Sequence, residues 1–137
     1  MALVYANLGS NLGDKKFIIE IAIERISDIF GYFCRSEFVE SEPWGFESAN
    51  SFCNIGISFK SEKEPEEILD ILQGIERELS DVSNRDKYGN YQDREIDIDI
   101  MAIDELKFVS ERLTIPHPHL HDREFFLKPY NELRPLS

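Results

Sequence analysis

The chain has 137 residues, of which 42% are hydrophobic and 31% charged, the balance of one folded domain; a disordered or collagen-like chain is excluded and no second domain is expected. A formal net charge of -12 repels polyanions, so neither nucleic acid nor an anionic membrane is an expected partner, and a phosphate-bearing ligand must arrive with a cation. Cys34 and Cys53 are too few for a disulfide framework, no apolar run approaches the roughly 20 residues that cross a bilayer, and Met1 to Leu8 is too short and uncharged for a signal peptide, so a soluble, cytoplasmic protein is expected.

Ala2 to Leu8 reads as a buried strand, followed by the turn residues Gly9-Ser10-Asn11-Leu12-Gly13, with Asp14 as N-cap of a helix. From Lys15 to Phe30 that helix carries Ile18, Ala22, Ile26 and Ile29, flanked by Ile19 and Ile23, as a core-facing stripe, and Gly31 stops it. Tyr32 to Val39 is expected as a second strand, broken by Ser41-Glu42-Pro43-Trp44-Gly45-Phe46, which opens a functional loop to about Ser51. Ile55, Ile57 and Phe59 alternate with Asn54, Gly56 and Ser58, the period of a strand apolar on one face only. Pro65 suits the first turn of a second helix, whose stripe is Ile68, Leu69, Leu72, Ile75 and Leu79. The polar stretch Ser80 to Asp93 has the length of a lid, Ile96 to Ile103 forms the last core strand, and the tail from Glu111 predicts short, irregular helices on the sheet. The resulting β-α-β-β-α-β order is that of an α+β, ferredoxin-like split βαβ sandwich, mostly antiparallel, with both long helices on one face. No coiled-coil or strand-swapping signal is present, which makes a monomer the default.

In Arg94-Glu95-Ile96-Asp97-Ile98-Asp99-Ile100-Met101, strand geometry sends Asp97 and Asp99 to one face and the isoleucines to the other. Neighbouring carboxylates repel, and a divalent cation relieves them; all-oxygen ligands favour Mg²⁺. A bare D-x-D also serves simply to solvate the outer face of an edge strand. Arg94, at the end of a long loop, tips the reading towards phosphate, since a guanidinium offers paired donors to phosphate oxygens, and Arg112, His117 and Arg123 add donors downstream. His117, His119 and His121 invite a zinc reading, but the flanking prolines imply no fixed ligand geometry, and a single phosphate-contacting histidine fits better. Gly9 to Gly13 lacks the lysine and spacing of a P-loop and reads as a tight turn. Trp44 and Phe46, in a Pro-Gly loop, are placed where a flat ligand stacks.

These residues resemble the 6-hydroxymethyl-7,8-dihydropterin pyrophosphokinase family over essentially the full length, residues 1–137. The Arg94 to Met101 segment is the most specific match. Gly9-Ser10-Asn11-Leu12, Pro43-Trp44-Gly45, Asn54, Leu113-Thr114-Ile115-Pro116-His117, Arg123-Glu124-Phe125 and Leu127 to Leu133 support it. The resemblance implies two Mg²⁺ ions, and movement of the β- and γ-phosphates of ATP together to the pterin hydroxymethyl oxygen, with release of AMP. It implies that Asp97 and Asp99 bind both metals, with Asp97 also near the reacting hydroxyl, and that Arg94, the third catalytic candidate, reaches phosphates or the pterin side. Asn54 and the backbone around Ser41, Pro43 and Trp44 would bond the pterin edge, while Trp44, Phe52 and Phe125 enclose its rings. Gln73, Glu76, Arg112, Thr114 and His117 would hold the nucleotide, and Arg123 phosphates or the pterin side.

Departures fall in the long loop. Ser80-Asp81-Val82-Ser83 stands where the family commonly has Gly-Arg-x-Arg, leaving Arg85 and Lys87 as the candidate phosphate cations, and Tyr88 to Arg94 replaces a Trp-Gly-Pro-Arg pattern. Two rival readings stay open on sequence: another two-metal nucleotidyl transferase on the same fold, which would show no pterin dependence, and a non-catalytic pterin- and nucleotide-binding module, which would bind without turnover.

Overall fold

The computed structural model describes residues 2–11, 14–41, 52–79 and 96–134. Strand β1 (Ala2–Ser10) leads into α1 (Lys15–Phe30), the short strands β2 (Phe33–Arg35) and β3 (Val39–Ser41), and β4 (Phe52–Ser61). Then come α2 (Pro65–Leu79), β5 (Asp97–Ile103), a small hairpin of β6 (Phe108–Val109) and β7 (Thr114–Ile115), and α3 (Glu124–Leu133). The main sheet runs β2-β4-β1-β5 with β3 also on β4, every pairing antiparallel. With β2 and β3 taken as one interrupted strand, this is the split βαβ arrangement expected.

Helix α1 begins where Asp14 accepts the Phe17 N–H at 3.3 Å and ends where Gly31 takes a φ of 88°, a conformation a side chain would strain. Its buried stripe is Ile19, Ala22, Ile23 and Ile26. Ile29, expected in that stripe, is 49% exposed; in the last turn Phe30 faces the core instead and stacks on Phe59 of β4 with ring centroids 4.4 Å apart. In α2, Ile68, Leu69, Leu72 and Ile75 are buried and Leu79 packs partly against the same core. Together with Val4, Ala6 and Leu8, Ile55, Ile57 and Phe59, and Ile98 and Ile100, they form the main core between the sheet and the two long helices. Each fully buried Ile or Leu there contributes roughly 1.5–3 kcal/mol through area removed from water.

The second strand breaks at Ser36, which is buried; its hydroxyl accepts the Gly56 N–H at 2.9 Å while its own N–H bonds the Gly56 carbonyl. Ladder pairing therefore stops after Arg35 and resumes at Val39, and Tyr32, at the head of the expected strand, is 86% exposed. Strand β4 is buried on both faces, not one, because α3 covers the face that carries Asn54 and Gly56. The tail from Glu111, expected as short, irregular helices, holds instead β7, a run of turns over 118–122 and one ten-residue helix, α3. Its side of the sheet holds a second core of Tyr5, Met101, Ala102, Leu120 and Phe126. A bulge opposite Tyr5 and Ala6 turns Met101 and Ala102 together to this side, ending the alternation that places Asp97 and Asp99 there.

Candidate active site

Two rows of side chains cross the α3 face of the sheet. Gly9 lies between Asn54 of β4 and Asp97 of β5, and Asn7 lies between Gly56 and Asp99. A Cβ at Gly9 would stand 2.6 Å from the Asn54 Oδ1 and 3.7 Å from a Phe52 ring carbon, so the glycine keeps the floor open between the carboxylates and two expected pterin residues.

β5 is an edge strand, and in antiparallel pairing alternate backbone groups point away from the partner. The outward Ile98 N–H is met by the Glu76 carboxyl at 2.7 Å. Burial pushes the Glu76 pKa up to about 8 against the lowering effect of that bond, with Asp97, to which Glu76 is hydrogen-bonded, and Asp99 adding their negative charge. Near neutrality without a cation, Glu76 is the protonated member of the group.

Beyond this edge opens a cleft of about 420 Å³ between α2, β5 and the β6–β7 hairpin. Gln73, Glu76, Asp97, Asp99, Arg112, Thr114 and His117 all line it, so seven of the expected nucleotide and metal residues come together from three separate segments. The hairpin is tied to α2 by Ser110 donating to Glu66 at 3.1 Å and by Arg112, which pairs with Asp70 and reaches Gln73 at 3.3 Å. His117 is anchored to β5 by its N–H on the Met101 carbonyl at 2.9 Å. Burial, then the Arg123 and His119 charges, pull its pKa down to about 4, leaving it neutral at pH 7. Its Nδ1 lies 3.0 Å from the His119 N–H and accepts from it, which leaves the proton of the neutral ring on Nε2 as a donor. The ring stands edge-on to Phe126, centroids 4.9 Å apart.

Arg123, the N-cap of α3, lays its guanidinium over Phe126 at 4.9 Å and Phe125 at 5.7 Å. Burial lowers its pKa while Asp99 and Asp97 favour its charge, which places it on the carboxylates' side of the sheet. The zinc reading gains nothing: His119 faces Asp122 at 3.3 Å, and among the described residues no group of three His, Cys, Asp or Glu could hold a metal ion. Asp97 and Asp99 do fit Mg²⁺, which takes one or two carboxylates and completes its shell with phosphate and water; their negative charge, which adds to burial in raising Glu76, is what such a cation offsets. Of the other expected site residues, Pro43, Trp44, Arg85, Lys87 and Arg94 lie outside the described residues, as does Ser80 to Asp93, the stretch expected as a lid, and of Ser41 only the backbone, paired with Phe52, is described. The sequence reading missed Asn7, whose signal was a polar residue inside an otherwise apolar strand.

A ferredoxin-like sandwich thus carries a carboxylate pair at the lip of a donor-lined cleft, an arrangement suited to a phosphate-bearing ligand held through a cation. The family model for 7,8-dihydro-6-hydroxymethylpterin-pyrophosphokinase matches residues 5–135. A Porphyromonas gingivalis protein named 2-amino-4-hydroxy-6-hydroxymethyldihydropteridine pyrophosphokinase is 42% identical over 137 residues, covering 98% of this chain and 92% of the relative. A relative of the same name from Aquifex aeolicus is 37% identical over 135 residues, covering 98% and 82%. In structure, the chain superposes on Plasmodium falciparum HPPK-DHPS, solved with SDX-DHP, with a TM-score of 0.65 at 15% identity over 98% of this chain and 40% of that one, a likeness of fold alone. The chain belongs to the 7,8-dihydro-6-hydroxymethylpterin-pyrophosphokinase family. It is thereby an enzyme of diphosphokinase type, moving a pyrophosphoryl group from ATP to hydroxymethyldihydropterin in folate biosynthesis.

Proposed function

We propose that the cleft along β5 holds ATP, that the α3 face of the sheet holds 6-hydroxymethyl-7,8-dihydropterin, and that Asp97 and Asp99, at the boundary of the two, bring them together. The observation that carries this reading is the shared position of the carboxylates: both line the cleft, and both lie in cross-strand register with Gly9 and Asn7 on the opposite, pterin side. Asn54 and the Phe52 and Phe125 rings form the pterin side; Trp44 and the backbone at Ser41 and Pro43 complete it in this reading. Gln73, Thr114 and Arg112 face the nucleotide, and neutral His117 offers its Nε2–H to a phosphate oxygen. Arg123 and Arg94 balance phosphate charge, with Arg85 and Lys87 standing in for the family's missing loop arginines.

Two Mg²⁺ ions on Asp97 and Asp99 would neutralise the polyphosphate and favour loss of the hydroxymethyl proton. In the transfer the hydroxymethyl oxygen bonds to the β-phosphorus, the bond from that phosphorus to the α,β-bridging oxygen breaks, AMP departs with that oxygen, and the alcohol proton is released. The chain's residues act chiefly by alignment, since bringing the alcohol and the phosphorus into line supplies much of the rate. We place the enzyme in the cytoplasm as a monomer and as a single domain over 1–137. Among the described residues no helix is long and apolar enough to cross a membrane.

The test is to mix the chain with ATP, Mg²⁺ and the pterin and to separate AMP, ADP and pyrophosphate, with a pterin-free control. Pterin-dependent AMP without free pyrophosphate is the expected result. Pyrophosphate release without pterin points to a nucleotidyl transferase, and binding without turnover to a ligand-binding module.

A further inference from the structure

We propose that Asn7 is a positioning residue for the pterin side of the site: its amide replaces a helical donor that Pro129 removes, and so sets the first turn of α3, with Phe125 and Arg123, over the sheet. In an α-helix the carbonyl of residue 125 accepts from the N–H of residue 129. Residue 129 is a proline inside α3, with no N–H and a ring that crowds the carbonyl four residues back. The Asn7 Nδ2 donates to that Phe125 carbonyl at 2.9 Å, across 118 residues of sequence.

Three further observations make this a built arrangement. Asn7 is 1% exposed and sits in β1 between Ala6 and Leu8, where a polar side chain is costly unless it is bonded. Its register partner on β4 is Gly56, and a Cβ there would stand 2.7 Å from the Pro129 Cβ, so α3 rests directly on the strand at the place where its own ladder is interrupted. Its partner on β5 is Asp99. One side chain thus joins the strand row that carries a cleft carboxylate to the turn that carries Arg123 and Phe125. The functional part rests on the reading of Phe125 as a wall of the pterin pocket.

The experiment measures binding of the pterin, in the presence of Mg²⁺ and a non-hydrolysable ATP analogue, to four variants of the full chain: Asn7→Ala, Pro129→Ala, the double variant and Phe125→Ala. Alanine at 129 keeps the Cβ that touches Gly56 and restores an N–H, so it supplies the bond from within the helix. Asn7→Ala is expected to weaken pterin binding about tenfold, and binding of the analogue alone, which feels the change only through Arg123, by less. In the Pro129→Ala background the same change is expected to cost less than about twofold. That rescue is also readable if Asn7→Ala alone fails to fold, because the double variant is then expected to fold and bind. Pterin affinity unchanged in Asn7→Ala, equal losses in the two backgrounds, or a double variant no better than the single overturns the proposal. Phe125→Ala separates the two ways of failing: if it weakens pterin binding and Asn7→Ala does not, the bond positions nothing. If Phe125→Ala itself leaves pterin binding intact, Phe125 is not a pterin wall, and the role of Asn7 falls with it.

Discussion

Glu76→Gln tests the electrostatics of the site without touching its shape. Glutamine keeps an oxygen to accept the Ile98 N–H and an NH₂ to donate towards Asp97, so it imitates the protonated carboxyl. In the folded parent Glu76 holds its proton until about pH 8, whereas in the unfolded chain it titrates near the ordinary glutamate value of 4.5. Between those values the folded state binds the extra proton, so stability falls as pH rises, by up to about 1.4 kcal/mol per pH unit. Above about pH 6.5 the His117 contribution, of opposite sign, has ended. From there to about pH 8, where the slope has fallen to half, the Glu76 contribution amounts to about 1.6 kcal/mol. Urea unfolding in metal-free buffer across that range, for parent and variant, reads it directly. The parent is expected to lose stability by about that amount and Glu76→Gln to lose much less; parallel curves, or a parent whose stability rises with pH, would refute the reasoning.

Replacing Gly9 by alanine puts a Cβ 2.6 Å from the Asn54 Oδ1, which must rotate away; pterin KM should rise about tenfold with ATP KM nearly unchanged, and an unaltered pterin KM would contradict the assignment of Asn54. His117→Gln should raise ATP KM by roughly tenfold. In the parent, the depressed His117 pKa means that the unfolded chain takes up a proton between about pH 6.5 and 4 that the folded chain refuses, so stability falls with falling pH in that window. Chemical unfolding should show the glutamine variant free of that component, and an identical acid slope would count against a buried, neutral ring.

The two long helices and β4 were readable because their apolar spacing is local: Ile68, Leu69, Leu72 and Ile75 all reach the core that their period announces. So was the face shared by Asp97 and Asp99, which follows from strand alternation alone. Ile29 was misplaced because Ile29 and Phe30 both continue the helical spacing from Ile26, and only the sheet shows that Phe30, stacked on Phe59, takes the inward place. The pairing of Ser36 with Gly56, the burial of both faces of β4 and the length of α3 depend on contacts between distant segments, which single-sequence periodicity does not encode. Glu76 was assigned to the nucleotide by resemblance, but its bonds to the β5 edge and to Asp97 come from the edge position of that strand, a property of the assembled sheet. Asn7 had a sequence signal, yet its partner is a carbonyl whose need for a donor is visible only once Pro129 is known to lie inside a helix.

The central claim is that pyrophosphoryl transfer occurs at Asp97 and Asp99. Phosphorus NMR of ATP and the pterin with the parent chain, with and without Mg²⁺, and with Asp97→Ala and Asp99→Ala, follows the phosphates themselves. The account predicts Mg²⁺-dependent growth of pterin diphosphate and AMP signals with the parent, and at least about a hundredfold slower growth with either variant, while both variants melt cooperatively as folded proteins. Pterin diphosphate formed at a near-parental rate by either folded variant, or by the parent in the presence of a chelator, would contradict it.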